Sequence, residues 1–156
     1  MRDDATDPAR PLTPVPTQPA DDGSTSDAGT AEVVDALLEA LLTPDRSALA
    51  DVLADDVAYR PVGSPSRVVR GVAAVLETVL VAPSPGVEDG HVEVVEVHVG
   101  GRRRAVVVLR TAARVDGVAR AVETVLHVVV ADGRVAGLTE YVDDPAAAVA
   151  LGVQRG

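Results

Sequence analysis

Residues 121–144 read AVETVLHVVVADGRVAGLTEYVDD, and the way this stretch pairs with itself decides the fold. β-branched residues crowd both sides of Asp132-Gly133, a dipeptide that supplies the positive φ a tight hairpin turn needs. The stretch therefore predicts two antiparallel strands, over 121–130 and 135–142. The second carries Glu140 between Leu138 and Val142. A carboxylate in a largely apolar strand costs free energy unless it is paired or used, which makes Glu140 the first candidate functional group.

Which way Glu140 points depends on the turn. A three-residue loop with a glycine bulge pairs Val130 with Arg134 and sets Glu140 opposite Thr124, in the row of Val122, Leu126, Val128 and Val130. A two-residue loop sets Glu140 beside Val125, on the face of Glu123 and His127. The first arrangement places apolar residues against apolar residues and is the expected one.

The preceding segment alternates with period two from residue 91 onward, giving strands over 91–99 and 104–115 before the hairpin. Turns fall at Gly100-Gly101 and Asp116-Gly117. On 104–115 the more apolar row is Ala105, Val107, Leu109, Thr111, Ala113 and Val115, so that row faces the core. Before the meander the period is helical. Thr30 caps a predicted helix over 31–42 with Val33, Val34, Leu37, Leu38, Leu41 and Leu42 on one stripe. Thr43-Pro44 starts a second helix to about Leu53. Residues 57–62 read as a short strand, confined by Pro61 to an edge or an end, with Tyr59 and Val57 on one face. Gly71 leads a third helix, and Asp144-Pro145 starts a short C-terminal one. Helices first and an antiparallel sheet after is the α+β pattern, with the helices on one face of a four-stranded sheet.

Composition narrows the function. At 156 residues the chain holds one domain, expected over 30–152, preceded by a Pro/Asp-rich tail over 1–29 that has little to bury and is predicted to be disordered. A net charge of −10 argues against nucleic acid and anionic membrane surfaces as partners. Cysteine is absent, so no thiolate chemistry and no disulfide framework is available. The start of the chain lacks the pattern of a signal peptide and no run approaches a membrane span, so the expected location is cytoplasmic. Tyr59 and Tyr141 are the only aromatic rings besides three histidines. His91 and His98 fall on opposite faces of one strand and cannot share an ion, so neither a metal nor another cofactor is expected.

The helix pair, the phrase Leu53-Ala54-Asp55-Asp56-Val57-Ala58-Tyr59, the glycine-led helix, the meander, and then Asp132-Gly133-Arg134-Val135 with Glu140-Tyr141-Val142-Asp143 together resemble the nuclear transport factor 2-like superfamily. Within it the chain looks most similar to SnoaL-like polyketide cyclases and limonene-1,2-epoxide hydrolases. The resemblance implies a cone-shaped, cystatin-like roll around a pocket, often a homodimer. It puts Tyr59 on the pocket tyrosine of the epoxide hydrolases and Glu140 on their catalytic carboxylate. Their pocket asparagine is Pro61 here, and their Arg-x-Asp falls on Thr111 and Ala113.

The functional expectation is an enzyme acting on a small apolar molecule by acid–base chemistry or water activation, as an isomerase, cyclase or epoxide-hydrolase-like protein. Glu140 is the base and Tyr59 polarises an oxygen. Leu109, Thr111, Leu126 and Leu138 are expected to line the substrate site. The alternative is a non-catalytic ligand-binding or dimerisation module with a degenerate pocket, and without a function Glu140 would be a carboxylate paired with an arginine such as Arg60 or facing a dimer interface. A homodimer is expected through the outer sheet face, where Val106 and Val108 lie beside Arg104, Arg110, Glu123 and His127.

Overall fold

The structure, a computed structural model, describes residues 24–43, 45–61, 67–80, 85–101 and 103–152. In chain order these form α1 (Ser24–Leu42), α2 (Arg46–Val52), β1 (Leu53–Arg60), β2 (Val69–Arg70), α3 (Val72–Val79), β3 (Val87–Gly100), β4 (Arg104–Val115), β5 (Val118–Ala131), β6 (Arg134–Val142) and α4 (Pro145–Ala150). Most of the predicted tail, residues 1–23, lies outside the described residues, as does Pro44.

Several boundaries differ from the sequence expectation. The first helix begins at Ser24, so Thr30 lies within it and is buried instead of capping it. Once a helix is nucleated by its apolar stripe, adding a turn upstream costs little, and no proline in 24–29 stops it. The cap of α2 is Asp45, whose carboxylate accepts from the Ser47 and Ala48 amides at 2.9 and 3.1 Å. Leu53 is already extended, so Asp55 and Asp56 belong to β1 and do not terminate the helix. Pro61 follows the last residue of β1, consistent with a ring that cannot donate to a ladder.

The sheet has six strands in the order β2-β1-β6-β5-β4-β3, two more than the meander alone. β1 lies parallel to β6, with Tyr59 beside Leu138, and β2 closes that edge by pairing Tyr59 with Val69. This pairing joins residues far apart in the chain, so no local pattern announces it. α1 crosses the inner face against β3 to β6, while α3 packs on β1 and β2 and α2 on β1.

The inward rows are those alternation predicted. Ala105, Val107, Leu109 and Ala113 are buried on β4, and Val122, Thr124, Leu126, Val128 and Val130 on β5. Val34, Leu37 and Leu38 of α1, Leu49 of α2 and Val75 and Leu76 of α3 meet the larger part of this face in one cluster. A second, smaller cluster sits at the far end of the sheet, where Ala147 and Ala148 of α4, with Leu151 just beyond it, cover Ala113 and Val122.

The decisive hairpin uses the two-residue turn and not the expected three-residue loop, and a bulge further along the strand changes its consequence. Asp132 and Gly133 form a two-residue turn with φ of 51° and 73°, and Ala131 pairs with Arg134. The register then slips between Val130↔Val135 and Val129↔Gly137, leaving Ala136 as an extra residue in β6. Without the bulge, this turn would send Glu140 outward with Glu123. With it, Glu140 lies opposite Leu126 and faces inward.

Candidate functional site

Glu140 is 6% exposed and Tyr59 4%, and the Tyr59 hydroxyl donates a hydrogen bond to Glu140 Oε2. The geometry follows from the ladders. Tyr59 pairs with Leu138 across the parallel β1–β6 junction, and Glu140 is the next inward residue of β6, so the ring reaches diagonally to the carboxylate. Arg60, considered as a partner for Glu140, is the neighbour of Tyr59 in the strand, points to the opposite face and is exposed. Among the described residues the close contacts between basic and acidic side chains are His98 with Glu96 and Arg134 with Asp55, both on the surface, and neither touches this pair.

Burial dominates the electrostatics. Removing water from around Glu140 penalises its charged form and pushes its pKa above the ordinary glutamate range, while the Tyr59 hydrogen bond opposes the shift. Burial, with the adjacent carboxylate, raises Tyr59 far above the ordinary phenol range, so it remains a protonated donor. The pair is thus a carboxyl group with raised proton affinity, held by a hydroxyl that keeps its own proton.

The expected lining residues are distributed unequally around it. Leu126 is directly opposite Glu140, and Leu138 precedes it on the same face of β6; both are buried. Leu109 is one strand further away, opposite Thr124, and Thr111 is half-buried on the same row of β4. The Tyr59 hydroxyl, expected to polarise a ligand oxygen, donates to Glu140. Glu123 and His127 are on the outer face, away from the site. Among the described residues no three His, Cys, Asp or Glu side chains converge as metal ligands.

One inward residue was not singled out beforehand. Thr124 is 4% exposed, and its Oγ1 is the one buried side-chain oxygen or nitrogen among the described residues with no hydrogen-bond partner. Its signal in the sequence was a lone hydroxyl in the row Val122, Leu126, Val128, Val130, easily absorbed into a strand because threonine is β-branched.

These features place the chain among nuclear transport factor 2-like folds, in which helices pack into the concave face of a strongly bent sheet. The sequence profile of the SnoaL-like domain matches residues 34–138, more than half of the chain, so the chain belongs to that family. The matched span holds Tyr59 and Thr124 and ends just before Glu140.

Solved structures agree. A SnoaL-like protein from Jannaschia sp. CCS1, proposed to be a polyketide cyclase, is 20% identical with a TM-score of 0.64, over 85% of this chain and 97% of that one. An epoxide hydrolase from M. tuberculosis resembling limonene epoxide hydrolase is 21% identical with a TM-score of 0.58, over 75% and 84%. A nuclear transport factor 2-like protein from Burkholderia xenovorans LB400 is 21% identical with a TM-score of 0.58, over 81% and 98%. Identities at this level carry the fold and not the activity. No functionally curated protein matches the chain.

Proposed function

We propose that this domain acts on a small, uncharged, largely apolar molecule, with Glu140 as the proton-transferring group. The observation that carries this reading is an inward carboxyl on a mid-sheet strand whose hydrogen-bonding partner is a tyrosine and not a cation. A structural carboxylate is usually matched by a positive charge, and burial without one raises its affinity for a proton, the direction that makes it a stronger base. Tyr59 occupies Oε2 and fixes the plane of the carboxyl group, leaving Oε1 to take a proton from the substrate or from water.

Among acid–base reactions, proton transfer within one substrate fits better than epoxide opening. The latter needs an acid to protonate the departing oxygen, and the positions where the resembled hydrolases carry Arg and Asp hold Thr111 and Ala113. A second reading, a binding module without turnover, is favoured by the same shortage: Glu140 and Tyr59 are bonded to each other, and no further titratable side chain is buried on the inner face among the described residues.

The test is Glu140→Gln. Glutamine keeps the shape and can still accept from Tyr59, so proton-transfer activity should vanish while stability at pH 7 stays equal or rises. The sign follows from linkage. A raised acid pKa means that the folded state holds the proton more tightly, so the wild type loses stability as pH rises from the ordinary glutamate range through the folded pKa. The variant should lose that slope. A clear drop in melting temperature at pH 7 would make the carboxylate a structural anion and end the enzyme reading.

The domain is also proposed to pair through its outer sheet face. Half-buried Val106, Val108, Val125 and Val129 lie beside exposed Arg104, Arg110 and Glu123, a mixture suited to a partner surface. Sedimentation at micromolar concentration should return a dimer, and Val108→Arg a monomer; a wild-type monomer would remove the idea.

A further inference from the structure

We propose that Thr124 is a second ligand-binding group of the Glu140 site, anchoring an uncharged oxygen, carbonyl or hydroxyl, of a mainly hydrocarbon ligand. The inference rests on the ligand-handling reading above and deepens it.

The ladders define a polar row across the inner face. Glu140 is opposite Leu126 and Val142 is opposite Thr124, so Thr124 is the diagonal neighbour of Glu140. Leu109 is opposite Thr124 and Thr111 is opposite Val122, so Thr111 is the next diagonal neighbour. With Tyr59 at the other end, four oxygen-bearing side chains run obliquely over β1, β6, β5 and β4. Tyr59 is part of the larger apolar cluster, whereas Glu140, Thr124 and Thr111 belong to neither cluster.

Within this row Tyr59 and Glu140 satisfy one another, whereas the Thr124 hydroxyl has no partner. Native folds rarely bury such a group, and valine has nearly the same shape and would fit a strand equally well. Every other inward residue of β5 from Val122 to Val130 is in fact Val or Leu. A hydroxyl here is therefore explained by what it meets when the site is filled. Solvent does not reach it, so a ligand that meets it displaces neighbouring side chains, such as the half-buried Val142 beside it in the ladder.

The chemistry of the row selects the ligand. Glu140 next to Thr124 repels an anion, and the described arginines of β4, β5 and β6, Arg104, Arg110, Arg114, Arg120 and Arg134, are exposed and away from it. A hydroxyl can donate to a carbonyl or both donate to and accept from an alcohol. A neutral oxygen satisfies Thr124, and the hydrocarbon around it meets Leu109, Leu126 and Val142.

The test uses Thr124→Val and Thr124→Ser, with cyclohexanone, cyclohexanol and methylcyclohexane as probes followed by protein NMR titration. Thr124→Val should leave the melting temperature of the free protein equal or raise it. It should weaken the two oxygenated probes by roughly two- to tenfold, the net worth of one hydrogen bond, and leave methylcyclohexane unchanged. Thr124→Ser should bind the oxygenated probes like the wild type.

Equal binding of the oxygenated probes by wild type and Thr124→Val overturns the anchor while leaving the Glu140 reading intact. A melting temperature clearly lowered by valine but not by serine overturns it too, since the hydroxyl would then be holding the fold. If the wild type binds none of the three, the anchor falls, and the Glu140 reading is still judged by its titration, which needs no ligand.

Discussion

Tyr59→Phe is expected to lower the unfolding free energy at pH 7 by about 1.5–3 kcal/mol, the range for a hydrogen bond to a charged group. Phenylalanine keeps the packing of the ring between β2 and β6 but leaves Glu140 buried without its donor. The Glu140 pKa, already raised by burial, should rise further once the one contribution that lowers it is gone. The deficit should shrink as pH falls through the folded pKa of Glu140, because a neutral carboxyl forfeits only an ordinary hydrogen bond. Urea unfolding of wild type and variant between pH 4 and 8 checks both size and slope. In a Glu140→Gln background the same change should cost less, and the difference measures the coupling of the two residues.

Deleting Thr139 should be far more damaging, by at least about 3 kcal/mol, although its side chain is neither fully buried nor part of the site. Side chains alternate along β6, so a one-residue deletion downstream of the bulge forces a choice. Either Leu138 leaves the core or Glu140 turns outward and loses Tyr59. Deleting Ala136, three positions earlier, should cost only about 1 kcal/mol, because it removes the extra residue and leaves Leu138 opposite Val128 and Glu140 opposite Leu126. Thermal unfolding of the two deletions discriminates directly. Similar losses in both would show that the bulge does not set which way Glu140 faces.

The same bulge marks the boundary of what local pattern can reveal. Alternation placed Ala105, Val107 and Leu109 inward and bounded β4 at Arg104 and Val115, because each of these facts depends on neighbours in sequence. The inward direction of Glu140 was reached by matching apolar rows, but through a three-residue loop that the chain does not use. Asp132-Gly133 makes the shorter turn, and Ala136 compensates for it inside the strand. An alanine bulge has no compositional signature, so only the face-matching argument could expose it.

Tyr59 and Glu140 were each recognisable as candidates, yet their bond spans 81 residues and depends on the parallel β1–β6 pairing. Reading residues 57–62 as an isolated strand left Tyr59 free to be given a ligand to polarise. Thr124 was overlooked for the opposite reason: its strand propensity made it look like one more core residue.

Glu140 is buried as an acid with raised pKa, held by Tyr59 and, among the described residues, unmatched by a cation. This is tested most directly by following the side-chain carboxyl carbon of Glu140 by NMR as a function of pH, with the resonance assigned by its loss in Glu140→Gln. The expected midpoint lies clearly above the ordinary glutamate range and moves higher still in Tyr59→Phe. A midpoint at or below that range would mean that the carboxylate is stabilised as an anion, and that Glu140 is not a buried acid with raised proton affinity.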